Sequence, residues 1–64
     1  MKYAEADYIN VGYAFEKATT VSKTRELAMT IRYMIQSETL DDQSEAHYLV
    51  NRGRQEARKE TIHV

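Results

Sequence analysis

The amino-acid sequence predicts an all-α fold, a single small domain of three helices completed by homodimerisation or by a partner. Three observations predict it. The chain has no proline and only two glycines, so breaks and tight turns are scarce. Its apolar residues recur mainly at helical spacing. Its 64 residues carry no cysteine, so no disulfide supports a core that at this size supplies only ~3–5 kcal/mol. Association is the remaining means of support.

The first element spans residues 3–18. As a helix it places Ala4, Tyr8, Val11, Phe15 and Ala18 on one face. As a strand it alternates Ile9, Val11, Tyr13 and Phe15 in "YINVGYAF". Tyr, Ile, Val and Phe favour a strand, whereas Ala4, Ala6, Ala14, Glu5 and Glu16 favour a helix. The chain holds no second strand-like run, so a strand here would pair only with its own copy across a dimer. The helix is therefore preferred.

The second element, residues 21–37, is the clearest. Thr24, Leu27, Ala28, Ile31, Met34 and Ile35 share one side at about 100° per residue, with Thr20 or Ser22 as the N-cap. This middle helix is expected to be the core element, buried on its Leu27–Ile31–Met34–Ile35 side.

The third element, residues 42–61, opens on Asp42-Gln43-Ser44-Glu45, a variant of the capping box. Its stripe is narrow and made of small and medium residues: Ala46, Leu49, Val50, Gly53 and Ala57. Gly53 costs about 1 kcal/mol relative to Ala inside a helix. It marks either a close helix crossing or a point of fraying.

Composition narrows the function. No apolar run approaches the roughly 20 residues of a membrane span, and Met1-Lys2-Tyr3-Ala4-Glu5 has an acid where a signal peptide would be apolar. With no cysteine, a reducing, cytoplasmic setting is expected. The net charge of −1 lacks the basic excess of a dedicated nucleic-acid binder.

Some apolar residues lie off the stripes. Met29 and Tyr33 are opposite the main stripe of the middle helix, and Ile9 and Tyr13 point away from Tyr8, Val11 and Phe15. Interfaces are enriched in Tyr and Met, so these pairs are candidate partner-binding residues. Tyr48, Arg52 and Arg54 form a candidate second face. The alternative is a DNA- or RNA-binding regulator using Arg52, Arg54, Arg58 and Lys59 on phosphates. Those cations divide, Arg52 and Lys59 on one flank of the stripe and Arg54 and Arg58 on the other. Such flanking charges suit a helix packed on another helix.

The stretch "ATTVSKTRELAMTI" carries part of a helix-turn-helix spacing. Thr20 stands where a turn glycine belongs, Glu16 where a small residue belongs, and Glu26 where an apolar residue belongs. Only Met29 fits. The acids Glu38, Asp41, Asp42 and Glu45 lack the alternating ligands and turn glycine of a calcium loop, and His47 shares no helical face with Glu45. Acids in a first helical turn already interact with the helix dipole. His63 is expected to be disordered. No nucleophile–base set, phosphate loop or zinc-protease motif is present. The expectation is a non-enzymatic protein-binding regulator, adaptor or inhibitor with no cofactor, no metal and no membrane partner. A small structural subunit of a larger assembly is a further alternative. Short, cysteine-free helical chains of this kind are associated with phage and bacterial regulators.

Overall fold

The computed structural model describes residues 1–62, apart from the side chains of Thr61 and Ile62. The expectation for His63 lies outside the described residues. Helices α1 (Glu5–Lys17), α2 (Val21–Gln36) and α3 (Leu40–Ile62) follow one another, and no strand occurs among the described residues. The fold is all-α and three-helical, as the spacing predicts.

Local chemistry sets the helix ends. The Asp7 carboxylate accepts the Ala4 backbone N–H at 3.3 Å. Glu5 and Asp7 occupy the first turn of α1 and Lys17 the last, signs that favour the helix dipole. The α1–α2 connection is extended at Ala18 and Thr20, and the Thr20 hydroxyl caps α2 by accepting the Lys23 N–H at 3.1 Å. Helix α3 starts two residues before the expected position, at Leu40. Its cap is Thr39, whose hydroxyl accepts the Asp42 N–H at 3.3 Å. Asp42 is thus inside the first turn and is not the cap.

Helices α1 and α3 run in the same direction. Gly12 lies against Val50 and Gly53 against Ile9, while Glu16 meets Arg54 and Arg58 and Lys17 meets Glu60. At the crossing the two backbones touch. A Cβ on Gly12 would sit 2.1 Å from the Val50 carbonyl oxygen, and a Cβ on Gly53 would sit 1.9 Å from that of Ile9. Each glycine therefore receives the other helix's carbonyl, the arrangement in which weak Cα–H···O contacts form. Gly53 marks a crossing and not a fraying point, and Gly12 is its counterpart.

The core lies beside this crossing. Tyr8, Met34, Ile35, Ala46, Leu49 and Val50 form the buried cluster, with Tyr3, Ile9, Val11 and Ile31 packed on it. The expected α3 stripe is buried throughout, from Ala46 to Ala57. Helix α2 departs from expectation. Only Met34 and Ile35, near its C-terminal end, are buried, whereas Thr24, Leu27, Ala28 and Ile31 are half-buried. The α1–α3 pair is the core element, and α2 joins it at one end. The physical reason is backbone proximity: paired glycines let α1 and α3 approach more closely than the larger side chains of α2 permit.

This crossing is testable by single substitutions. Gly12→Ala and Gly53→Ala should each destabilise the fold by ~3 kcal/mol or more through overpacking, despite a helix-propensity gain of about 1 kcal/mol. Urea denaturation followed by circular dichroism reads the loss. Asn10→Ala, at an exposed position of α1, should stay within about 0.5 kcal/mol. Similar stability for all three variants would contradict the close contact.

Candidate functional site

Helix α2 is apolar on two sides. On the side away from the core, Met29 is 63% exposed and Tyr33 66%. They are four residues apart and share one face of the helix. Both therefore lie where the sequence places them. Ile9 and Tyr13 do not. Ile9 packs on the core, and its carbonyl meets Gly53. The Tyr13 hydroxyl donates to the Glu60 carboxylate. The expectation that this pair points away from the core is corrected: α1 serves two neighbours, so it buries a wider arc than one stripe. The Glu60 hydrogen bond raises the Tyr13 hydroxyl above its ordinary value and, with Lys17 Nζ 3.1 Å from Glu60, raises the Lys17 ammonium too.

The basic residues of α3 also divide. Arg54 Nε lies 2.9 Å from Glu16 Oε1 and Arg58 Nε 3.2 Å from Glu16 Oε2. Their hydrogen bonds hold the Glu16 carboxyl below its usual range. The Arg54 guanidinium also lies 5.1 Å from the centre of the Phe15 ring. Arg54 and Arg58 thus fasten α3 to α1, as charges flanking a packed stripe do, and are less open than the candidate second face (Arg54) and the phosphate-contact alternative (Arg54 and Arg58) would have them. Lys59 makes a long contact of 3.5 Å with Glu56. Arg52 is exposed and has no ion pair among the described residues. Tyr48, 60% exposed, shares the outer face of α3 with Gln55 and Lys59 by helical spacing, with Arg52 at its edge.

Between α2 and the α1–α3 pair runs an open trough. One part, of about 380 Å³, is lined by Ala28, Ile31 and Ile35 of α2 with Gln43 and His47 of α3. The next part adds Phe15, Val50 and Arg54. The last continues along Ala28, Thr24 and Arg25 to Val21. Ala28 belongs to all three parts, and no carboxylate lines any of them. The floor is the half-buried stripe of α2, which the splayed packing of α2 leaves uncovered.

The acids Glu38, Asp41, Asp42 and Glu45 differ in their surroundings. Glu38 is buried and lies before α3. Its carboxylate accepts the Lys2 N–H at 2.8 and 3.0 Å, the Tyr3 N–H at 3.2 Å and the Tyr8 hydroxyl at 2.5 Å. The Tyr8 hydroxyl also lies 3.0 Å from the Met34 carbonyl oxygen. Glu38 is therefore neither a cap nor a ligand; it ties the segment before α1 to the end of α2. The Lys2 N–H, with the Tyr8 hydroxyl, holds its carboxyl below the ordinary glutamate value. Burial, with the nearby Glu38 charge, pushes the Tyr8 hydroxyl well above that of an ordinary tyrosine. Among the described residues no group of three His, Cys, Asp or Glu side chains is placed to hold a metal, and no helix is long and apolar enough to cross a membrane.

No family model matches the chain, and neither a curated protein nor a solved structure matches it. Sequence reasoning missed Arg25, Arg32 and His47 as trough residues. A signal was present, since Arg25 and Arg32 are seven apart and flank Ala28 and the Ile31 stripe. It missed Glu16 as an ion-pair hub because no spacing on α1 names a partner on α3.

The Glu38 tie has a pH signature. Its folded value is lowered, so its contribution is complete above the ordinary glutamate range and fades as pH falls through the folded value. Glu38→Gln, which turns an N–H donor toward the Lys2 and Tyr3 N–H groups, should melt below wild type near neutral pH. The gap should narrow below about pH 4. A gap in melting temperature that is constant across this range would rule out the carboxylate tie.

Proposed function

We propose that the chain is a non-enzymatic protein-binding module: a small regulator, adaptor or inhibitor that docks through the outer face of α2 onto a second copy or a partner protein. One observation carries this reading. Met29 and Tyr33 are both more than three-fifths exposed, side by side, on a helix whose opposite side faces the core. A chain of 64 residues has little apolar surface to leave in water, and its folded state gains from covering it. Met and Tyr suit such a contact, because the thioether adapts to an irregular surface and the phenol buries a ring while its hydroxyl stays wet. Tyr48 with Arg52 offers a smaller second contact on α3. A setting inside the cytoplasm belongs to this reading and rests on the absence of cysteine.

The phosphate-binding alternative is weakened by geometry. Of the four cations it needs, Arg54 and Arg58 share Glu16, and Lys59 is near Glu56.

Sedimentation equilibrium of wild type beside the double variant Met29→Glu/Tyr33→Glu tests the proposal. The wild type should self-associate or bind a partner recovered from host lysate, and the variant should be a folded monomer that recovers none. Folded monomers in both cases, with no partner captured by either, would defeat it. Binding to a random duplex that weakens steeply with salt would favour phosphate contacts instead.

A further inference from the structure

We infer that the trough between α2 and the α1–α3 pair is the seat of an acidic amphipathic helix of a partner protein. The inference rests on the protein-binding reading but uses the opposite side of α2 from Met29 and Tyr33.

Shape points to a helix. The trough follows α2 from Val21 to Gln36, ~24 Å at 1.5 Å per residue, the length of about four helical turns. Its lining is side chains, Ala28, Ile31 and Ile35 from α2 with Phe15 and Val50 from the α1–α3 pair. It offers no strand edge, so an extended peptide would leave its backbone unpaired, whereas a helix satisfies its own. A helix lying here would complete a four-helix arrangement and cover the half-buried stripe that α2 leaves open. Ala28, shared by every part of the trough, leaves room for an inserted apolar side chain.

Charge selects the partner's sign. The chain carries more acids than Lys and Arg together, yet no carboxylate lines this trough. Arg25 and Arg32 stand along its α2 edge without ion pairs among the described residues. Arg54 stands on the other edge, shared with Glu16. Asp or Glu side chains flanking the apolar face of the incoming helix would meet Arg25 and Arg32; lysines there would be repelled. The apolar lining argues for a protein over a nucleic acid, which would contact the arginines and leave the half-buried Ala28 and Ile31 wet.

The probe is a fluorescein-labelled 16-residue peptide with leucines at helical spacing and glutamates flanking them, alongside the same peptide with lysines for the glutamates. By fluorescence anisotropy, the full chain should bind the glutamate peptide at least about tenfold more tightly than the lysine peptide. Arg25→Glu/Arg32→Glu, both at exposed positions, should reverse that order, and Met29→Ala/Tyr33→Ala, which puts no new charge beside Arg25 and Arg32, should leave it unchanged. Amide shifts in a nitrogen-15 spectrum should centre on Ala28, Ile31 and His47. The inference is overturned if neither peptide binds at about 1 mM, if both bind alike, or if the charge-reversed variant keeps the wild-type order. It is also overturned if a random duplex displaces the peptide, or if the same amides shift with protein concentration alone, which would assign the trough to a second copy. Failure of the Met29/Tyr33 proposal with success here, or the reverse, separates the two surfaces.

Discussion

The reciprocal contact of Gly12 and Gly53 is the constraint on which the structure depends. Two helix backbones in contact leave no room for side chains between them, so the remaining α3 stripe must be small or laid to the sides. Ala46 and Ala57 are fully buried for this reason, and Tyr8 and Leu49 provide most of the bulk. The contact also fixes the register of α1 on α3. Once Gly12 meets Val50 and Gly53 meets Ile9, Glu16 falls between Arg54 and Arg58, and Lys17 falls beside Glu60. These ion pairs lie near the surface, where solvent screens them and their contribution is small. They follow from the register and do not create it.

A tight pair on one side leaves a loose helix on the other. Helix α2 buries Met34 and Ile35 in the core, with Ile31 packed beside them, and Glu38 anchors its end through the Lys2, Tyr3 and Tyr8 donors. Toward Val21 no comparable tie is present among the described residues. The result is a helix with two partly open faces, one bearing Met29 and Tyr33, the other flooring the trough. Both proposed contacts therefore trace to one packing imbalance.

Much of this was legible in the sequence. The whole α3 stripe, Ala46 to Ala57, follows from spacing, as do the α2 helix with its Thr20 cap and the exposure of Met29, Tyr33 and Tyr48. Periodicity reads one face per helix, and that is its limit. Helix α1 has neighbours on two sides, so Ile9 and Tyr13 looked misplaced when they were packed. Gly53 could be read as crossing or fraying because its counterpart, Gly12, is some forty residues away, a separation that local pattern does not bridge. Glu38 looked like a dipole acid because its partners are backbone N–H groups of Lys2 and Tyr3, which carry no sequence signature. Arg54 and Arg58 looked available because Glu16 lies on another helix.

The parallel pairing of α1 with α3 imposes an order on assembly. Most helical bundles fold quickly because neighbours in sequence are neighbours in space. Here the best-packed contact joins the first helix to the third, and the loosest helix lies between them in sequence. During synthesis α1 leaves the ribosome first and is satisfied last. Throughout that interval "YINVGYAF", rich in residues that favour strands, has no α3 to hold it helical. A stretch whose local propensity is divided thus relies for its packing on a glycine some forty residues later in the chain.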